Sequence, residues 1–285
     1  MIGSSAPPSA AASRSAGDPV PLDHYAASGP RWALGAELVY RPIAAALVAT
    51  SPHRLSGRTA LDAGAGTGAA SAALRRCAAN VLALDLSPAM LAWQAPARPP
   101  CAVADIRALP LAACSVDDAV AAFVLNHLAD PVAGLAELAR VTRPGGAILA
   151  AVFASDSRST VRDRVDAAAR AAGWQPPGWY QEMKATAAPI LGTPHAMATA
   201  ARAAGITDVH AEERLVDVGV TEPAQLVRYR LGNAAFAAWL NAIGPERAAM
   251  VAAQAEIAVG ASMHPYRPRV VFLRALTSER ARPRS

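Results

Sequence analysis

Between Thr59 and Leu276 short apolar runs alternate with stretches of helical period. TALDAG predicts a first strand and GAASAALRRCA a helix behind it. VLALDLS predicts the second strand, with a helix opening at Pro88 in SPAMLAWQA, where proline suits a first turn. CAVADI and VDDAVAAFVL predict the third and fourth strands, DPVAGLAELARVT a helix ended by RPGG, and AILAAVFA the fifth strand. Such alternation argues for a parallel sheet covered by helices on both faces.

Beyond residue 155 the pattern loosens. RSTVRDRVDAAARAA reads as helix, GWQPPGWYQEM as a loop, TPHAMATAARAAG as a helix closed by Gly205, and ITDVHAEERLVDVG as a strand. Residues 221–260 read as a largely helical insertion, and RVVFLRAL as the final strand. Ahead of the first strand, Leu34, Leu38, Ile43 and Leu47 recur near helical spacing, interrupted by Pro42, which predicts one or two helices. The expected organisation is a disordered Ala/Ser/Pro tail over 1–20 and an N-terminal helical segment over 21–58. One α/β domain then covers 59–277, with helical insertions at about 157–192 and 221–262, before a basic tail at 278–285.

Composition narrows the class. The 285 residues are 53% hydrophobic and only 17% charged, enough apolar material for a large core. Net charge is +5, but the cations are scattered, and the densest group, Arg274, Arg280, Arg282 and Arg284, sits at the C-terminus. A nucleic-acid binder concentrates its charge along one element, so nucleic acid is not an expected partner. No apolar run nears the ~20 residues needed to cross a bilayer, and no signal peptide is visible, so the expected location is the cytoplasm without membrane partners. Cys77, Cys101 and Cys114 show no metal-ligand spacing and are expected to be buried, reduced thiols; no metal is expected. The excess of arginine over lysine (Lys184 is the single lysine) and of alanine fits a GC-rich bacterial genome.

The stretch LDAGAGTGAA places a glycine turn between the first strand and its helix. Glycines at 64 and 66 allow positive φ and close approach of a ligand to backbone N–H groups, and Gly68 lets the helix pack near the strand. Taken alone the turn is ambiguous. Gly64-x-Gly66-x-x-Ala69, with Asp85 about 20 residues on, also satisfies the dinucleotide pattern.

LDAGAGTG, ALDLSPAML, ADIRALPL, VLNHLADP and VTRPGG together resemble the motif series of class I S-adenosylmethionine-dependent methyltransferases, over about residues 59–153. The resemblance is to small-molecule enzymes of the ubiquinone/menaquinone-biosynthesis type. It implies a Rossmann-like, doubly wound, seven-stranded, mostly parallel sheet whose last strand is antiparallel, with the N-terminal helices and helical insertions forming a lid. It implies S-adenosyl-L-methionine as cofactor, with S-adenosyl-L-homocysteine as product. Asp62, Gly64, Ala65 and Gly66 would line the methionine part. Asp85 would bind the ribose hydroxyls, Leu86 and Met90 the adenosine, Asp105 the adenine amino group, and the Ile106 backbone a ring nitrogen. Tyr25, in the segment that folds over the cofactor in such enzymes, would close the site.

The expected reaction is methylation of an O, N or C nucleophile on a small hydrophobic acceptor, in a role that suits specialised metabolism. His127, with Asn126 beside it, is the candidate base, because the loop after the fourth strand lies at the ligand crevice. Trp174, Trp179 and Tyr180 are candidates to wall an acceptor pocket. Leu226, Tyr229, Phe236, Trp239 and Leu240 share a helical face that could cover the acceptor, mediate a homodimer, or simply pack into the core. Two alternatives stay open from sequence: an NAD(P)-dependent oxidoreductase, and a methyltransferase-fold protein that binds the cofactor without methyl transfer.

Overall fold

The structure, a computed structural model, describes residues 23–278, so the tail expected at 1–20 and all but Ser278 of that expected at 278–285 lie outside the described residues. Seven strands form one sheet: β1 (Thr59–Ala63), β2 (Asn80–Asp85), β3 (Cys101–Val103), β4 (Asp118–Ala122), β5 (Ala147–Phe153), β6 (Asp208–Leu215) and β7 (Arg269–Leu276). Their order is β3-β2-β1-β4-β5-β7-β6. The first five run parallel, and β7 pairs antiparallel with both β5 and β6. Strand order, not strand direction, reverses between β1 and β4, the point where an open α/β sheet leaves a crevice beyond its strand ends.

β5 shows how the apolar runs become a two-sided core. Ala147, Leu149 and Ala151 face one cluster with Val39, Ile43, Leu47, Leu74 and Val165. Ile148, Ala150 and Val152 face the other, with Leu135, Leu138 and Met197. Period-two alternation between two covered faces gives a strand that reads as continuously apolar. Helices Glu37–Val48, Ala69–Arg76 and Thr160–Ala171 cover the first face, and Pro131–Val141 and Pro194–Ala203 the second.

Several elements depart from expectation. Helical turns run unbroken from Gly29 to Val48 and pass through Pro42; the stretch Trp32–Ala36 is a π-turn. Buried Val39, Ile43 and Leu47 set the apolar stripe, while Leu34 is 64% exposed. The third strand stops at Val103, at the sheet edge. The expected 173–183 loop becomes helix from Gly178 (Gly178–Glu182), continued by a π-turn at Met183–Ala187. The helical stretch Ala234–Val259 kinks at Gly244, φ 80°, ahead of Pro245. Leu226, Tyr229, Phe236 and Leu240 are buried in the chain's own core, so that face is not left for a second copy. The cysteines are free as expected but not buried: Cys77 follows a helix end, Cys101 lies on the edge strand, and both are exposed, with Cys114 partly so. Among the described residues no helix is long and apolar enough to cross a membrane.

Candidate functional site

The segments that follow the ends of β1 to β5 build the walls of one cavity of about 500 Å³. β1 delivers Asp62 and the glycine turn, β2 delivers Asp85 and Leu86, and the β3 extension delivers Asp105 and Ile106. β4 leads into Asn126 and His127 through a short 3-10 turn, and β5 ends at Phe153. Every cofactor-site residue named from sequence therefore lies on this cavity, together with Tyr25, Asn126, His127 and Trp179.

The glycine turn is held by the sheet itself. The amides of Gly64 and Ala65 both donate to the carbonyl of Leu84, at 2.7 and 3.0 Å, and Gly66 N–H donates to Asp85 Oδ2 at 2.7 Å. Gly64 has φ +71°, and a Cβ there would stand 2.4 Å from that of Val124, so the β4 loop excludes a side chain. Gly66, φ +52°, has only the Met90 methyl at 3.4 Å before the cavity opens. A residue larger than glycine at 66 would project into ligand space. Gly68 corrects the packing argument: a Cβ there would meet nothing nearer than Arg98 at 3.9 Å, so its φ of +104° is what selects glycine.

Three carboxylates of different character line the cavity. Asp62 is 1% exposed and accepts from Ser71 Oγ at 2.6 Å. Burial outweighs that bond and pushes its pKa from 3.8 up to about 6. Asp85 accepts from Gly66 N–H and, at 2.8 Å, from Ser87 N–H; burial raises its pKa although both bonds oppose the rise. Each of its oxygens accepts one of those bonds, leaving further lone-pair sites for hydroxyl donors. Asp105 is engaged by Arg107, whose Nη2 donates at 2.7 Å. Sequence reading missed Arg107, and it missed Glu37. Glu37 is buried and accepts from Thr67 of the turn and from Arg41, tying the N-terminal helix to the glycine turn. An acid in a helix's first turn reads as an ordinary charge-dipole residue, so nothing local marks this role.

Over the cavity sits an aromatic roof. His24 stacks on Trp179 with ring centroids 4.8 Å apart, and Tyr25 packs edge-on to Trp32 and to His127. The Tyr25 hydroxyl lies 3.1 Å from His127 Nε2. The His127 ring is exposed toward the cavity but enclosed by protein around it. That enclosure, with His24 second, lowers its pKa from 6.5 to about 4. The imidazole is neutral at neutral pH, so one ring nitrogen carries no proton; in the tautomer where that is Nε2, it accepts from the Tyr25 hydroxyl. Asn126 Oδ1 is buried without a partner, an orphaned acceptor on the cavity wall.

A second cavity of about 160 Å³ adjoins the first and is lined by Tyr180, Arg162, Arg230 and Lys184 among others. Trp179 belongs to both cavities and Tyr180 to the second. Trp174 lines neither. It is 2% exposed, stacks on Phe236 at 3.9 Å and donates its Nε1–H to Ala235 O at 3.1 Å. The sequence grouped these three aromatics by proximity; the turn after Gly173 sends Trp174 into the core, where its N–H finds a carbonyl. Among the remaining histidines, His53 is structural, its Nδ1 2.8 Å from Asp118 at the other end of β4.

Residues 61–150 match the methyltransferase domain family. Over 109 residues the chain is 41% identical to a malonyl-[acyl-carrier protein] O-methyltransferase of Serratia marcescens, covering 38% of this chain and 43% of that one. Over 101 residues it is 40% identical to a demethylmenaquinone methyltransferase of Beutenbergia cavernae, covering 35% and 42%. The chain thus spans less than half the length of these relatives. A chain of the solved complex between the Haloferax volcanii Trm112 methyltransferase activator and a methyltransferase superposes with a TM-score of 0.54 at 22% identity, over 90% of this chain and 97% of that one. That likeness shows the Rossmann-like fold of the sheet.

Proposed function

From a chain whose residues 61–150 are a methyltransferase domain, we infer a small-molecule methyltransferase that uses S-adenosylmethionine and acts on an O, N or C nucleophile. The observation that carries this is the convergence of Asp62, Asp85 and Asp105 around the Gly64–Gly66 turn on one cavity that also holds Asn126 and His127.

The cavity suits the cofactor. Asp62, buried and costly to ionise, is the group that a ligand ammonium would compensate. Asp85 has acceptor sites left for a pair of vicinal hydroxyls. Met90 and Ile106 offer apolar faces for a flat base, and Asp105 an acceptor beside it. Bound there, S-adenosylmethionine supplies a methyl group already activated by its positive sulfur.

The protein's own work is alignment and exclusion of water. Holding a nucleophile in line can contribute ~7–11 kcal/mol, so a base is an aid rather than a requirement. Asn126 Oδ1, left unpartnered, is placed to accept a hydrogen bond from the acceptor. His127 is neutral and can take a proton at a ring nitrogen, although a pKa near 4 makes it a weak base for a poorly acidic acceptor. Tyr25, hydrogen-bonding to His127 and packed on Trp32, works as the closing piece of the roof over the cavity. Trp179 forms the acceptor-side wall.

Calorimetric titration with S-adenosylmethionine and, separately, NADH tests the assignment, with Asp85→Asn checked for folding by circular dichroism. Micromolar binding of the sulfonium alone, weakened at least tenfold in the variant, is expected. Binding of NADH alone would replace the reading with an oxidoreductase.

A further inference from the structure

The smaller cavity has a charge that its walls do not balance. Arg230 is buried and forms a bidentate pair with Asp166, at 2.6 and 2.8 Å, so its charge is met. Lys184 is exposed and extends over the Tyr180 ring. Arg162 differs from both. Its guanidinium has one hydrogen bond, from Nη2 to Ser157 O at a long 3.3 Å, and no carboxylate pairs with it among the described residues. The groups whose fields act on it include Tyr266, Tyr229 and Tyr180, and Arg230, a like charge. Tyr266 is itself buried, with its hydroxyl unpartnered. A guanidinium carries five N–H donors, and most of those of Arg162, which is partly exposed, have no protein partner and are open to a ligand.

The two cavities share eight lining residues, Asn126, His127 and Met183 among them. The other five, Tyr25, Trp32, Tyr40, Phe153 and Trp179, carry phenol, phenyl or indole rings, which suit a flat or apolar body. One molecule can therefore span both spaces, its body against the rings, its reacting atom beside Asn126 and its far end at Arg162. We propose that the methyl acceptor is an apolar carboxylic acid whose carboxylate is received by Arg162. One uncompensated interior cation calls for a monoanion, and the planar fork of arginine matches a carboxylate with two parallel bonds. The assignment rests on the methyltransferase reading for the word acceptor; the anion site rests on Arg162 and its surroundings. Arg162 is then a specificity residue, remote from the transferred group.

The test is calorimetry on the full chain with benzoate, cinnamate and octanoate, each against its primary amide, with and without saturating S-adenosylhomocysteine. Phenyl phosphate is added as a second oxyanion. At least one acid is expected to bind tenfold or more tighter than its amide. Arg162→Met, which keeps the apolar stem, should erase that preference, and Arg162→Lys should keep part of it. Both variants should bind S-adenosylhomocysteine as the wild type does, which also reports that they are folded. Equal binding of acids and amides, an undiminished preference in Arg162→Met, or a preference for phenyl phosphate over every carboxylate would each overturn the proposal. Failure of the wild type to bind S-adenosylhomocysteine would instead remove the cofactor reading, and the arm without it would still decide the anion site.

Discussion

Asp62→Asn should make the ligand-free protein more stable while disabling its cofactor site. The side chain is 1% exposed, and burial pushes its pKa from 3.8 to about 6 despite the bond from Ser71. At ~1.4 kcal/mol per pH unit, that separation means ionised Asp62 costs the fold about 3 kcal/mol at pH 8. A carboxyl with a raised folded-state pKa binds its proton more tightly folded than unfolded. Its relative stabilisation is full below about pH 4 and is lost as the pH rises through 6. Asparagine resembles a permanently neutral Asp62, so the variant should gain about 3 kcal/mol at pH 8, a rise in Tm of roughly 5 °C for a chain of this size. The gap between variant and wild type should narrow between pH 6 and 4.5. Thermal and urea melts of both proteins across that range read the effect. In the same variant S-adenosylmethionine affinity should fall roughly 100-fold, since its ammonium loses a buried counter-charge. A variant no more stable than wild type at pH 8, or a gap independent of pH, would refute the electrostatic account of this site.

The remaining predictions concern the walls and the frame. Trp179→Ala should raise acceptor KM much more than cofactor KM, whereas Trp174→Ala should lower stability by about 3–5 kcal/mol without separating the two constants. Equal shifts of both constants in Trp179→Ala would remove that residue from the acceptor wall. Asp166→Ala strands the buried Arg230 charge and should cost about 3–5 kcal/mol in denaturant melts, more than any exposed ion pair such as Arg267–Asp217. Asp118 has a lowered pKa: burial opposes the shift, but Arg58, the Ala147 amide and His53 outweigh it. Its stabilisation is present above the unfolded value near 4 and fades as the pH falls below it. Asp118→Asn should accordingly flatten the acid limb of the stability profile.

The residues that would touch the cofactor were legible in the sequence because a parallel sheet puts chain-local signals in predictable places. Asp62 and Asp85 stand at the ends of their strands, the glycine turn, Asp105 and Asn126–His127 follow theirs by a few residues, and register brings those strand ends to one crevice. Even there the reasons shifted: Gly64 is demanded by Val124, and Gly68 by its φ. The acceptor side could not be read in this way. Trp174 and Trp179 lie five positions apart, yet a turn sends one into the core and the other to the roof. Tyr25 meets His127 across 102 positions, and Arg230 meets Asp166 across 64. Periodicity and turn chemistry act over a few residues, so they marked the strands and the glycine turn, while the antiparallel last strand and the roles of the cofactor residues came from the motif resemblance. Which insertion side chains face the cavities, and that Arg162 is left there without a counter-charge, depended on packing between distant helices.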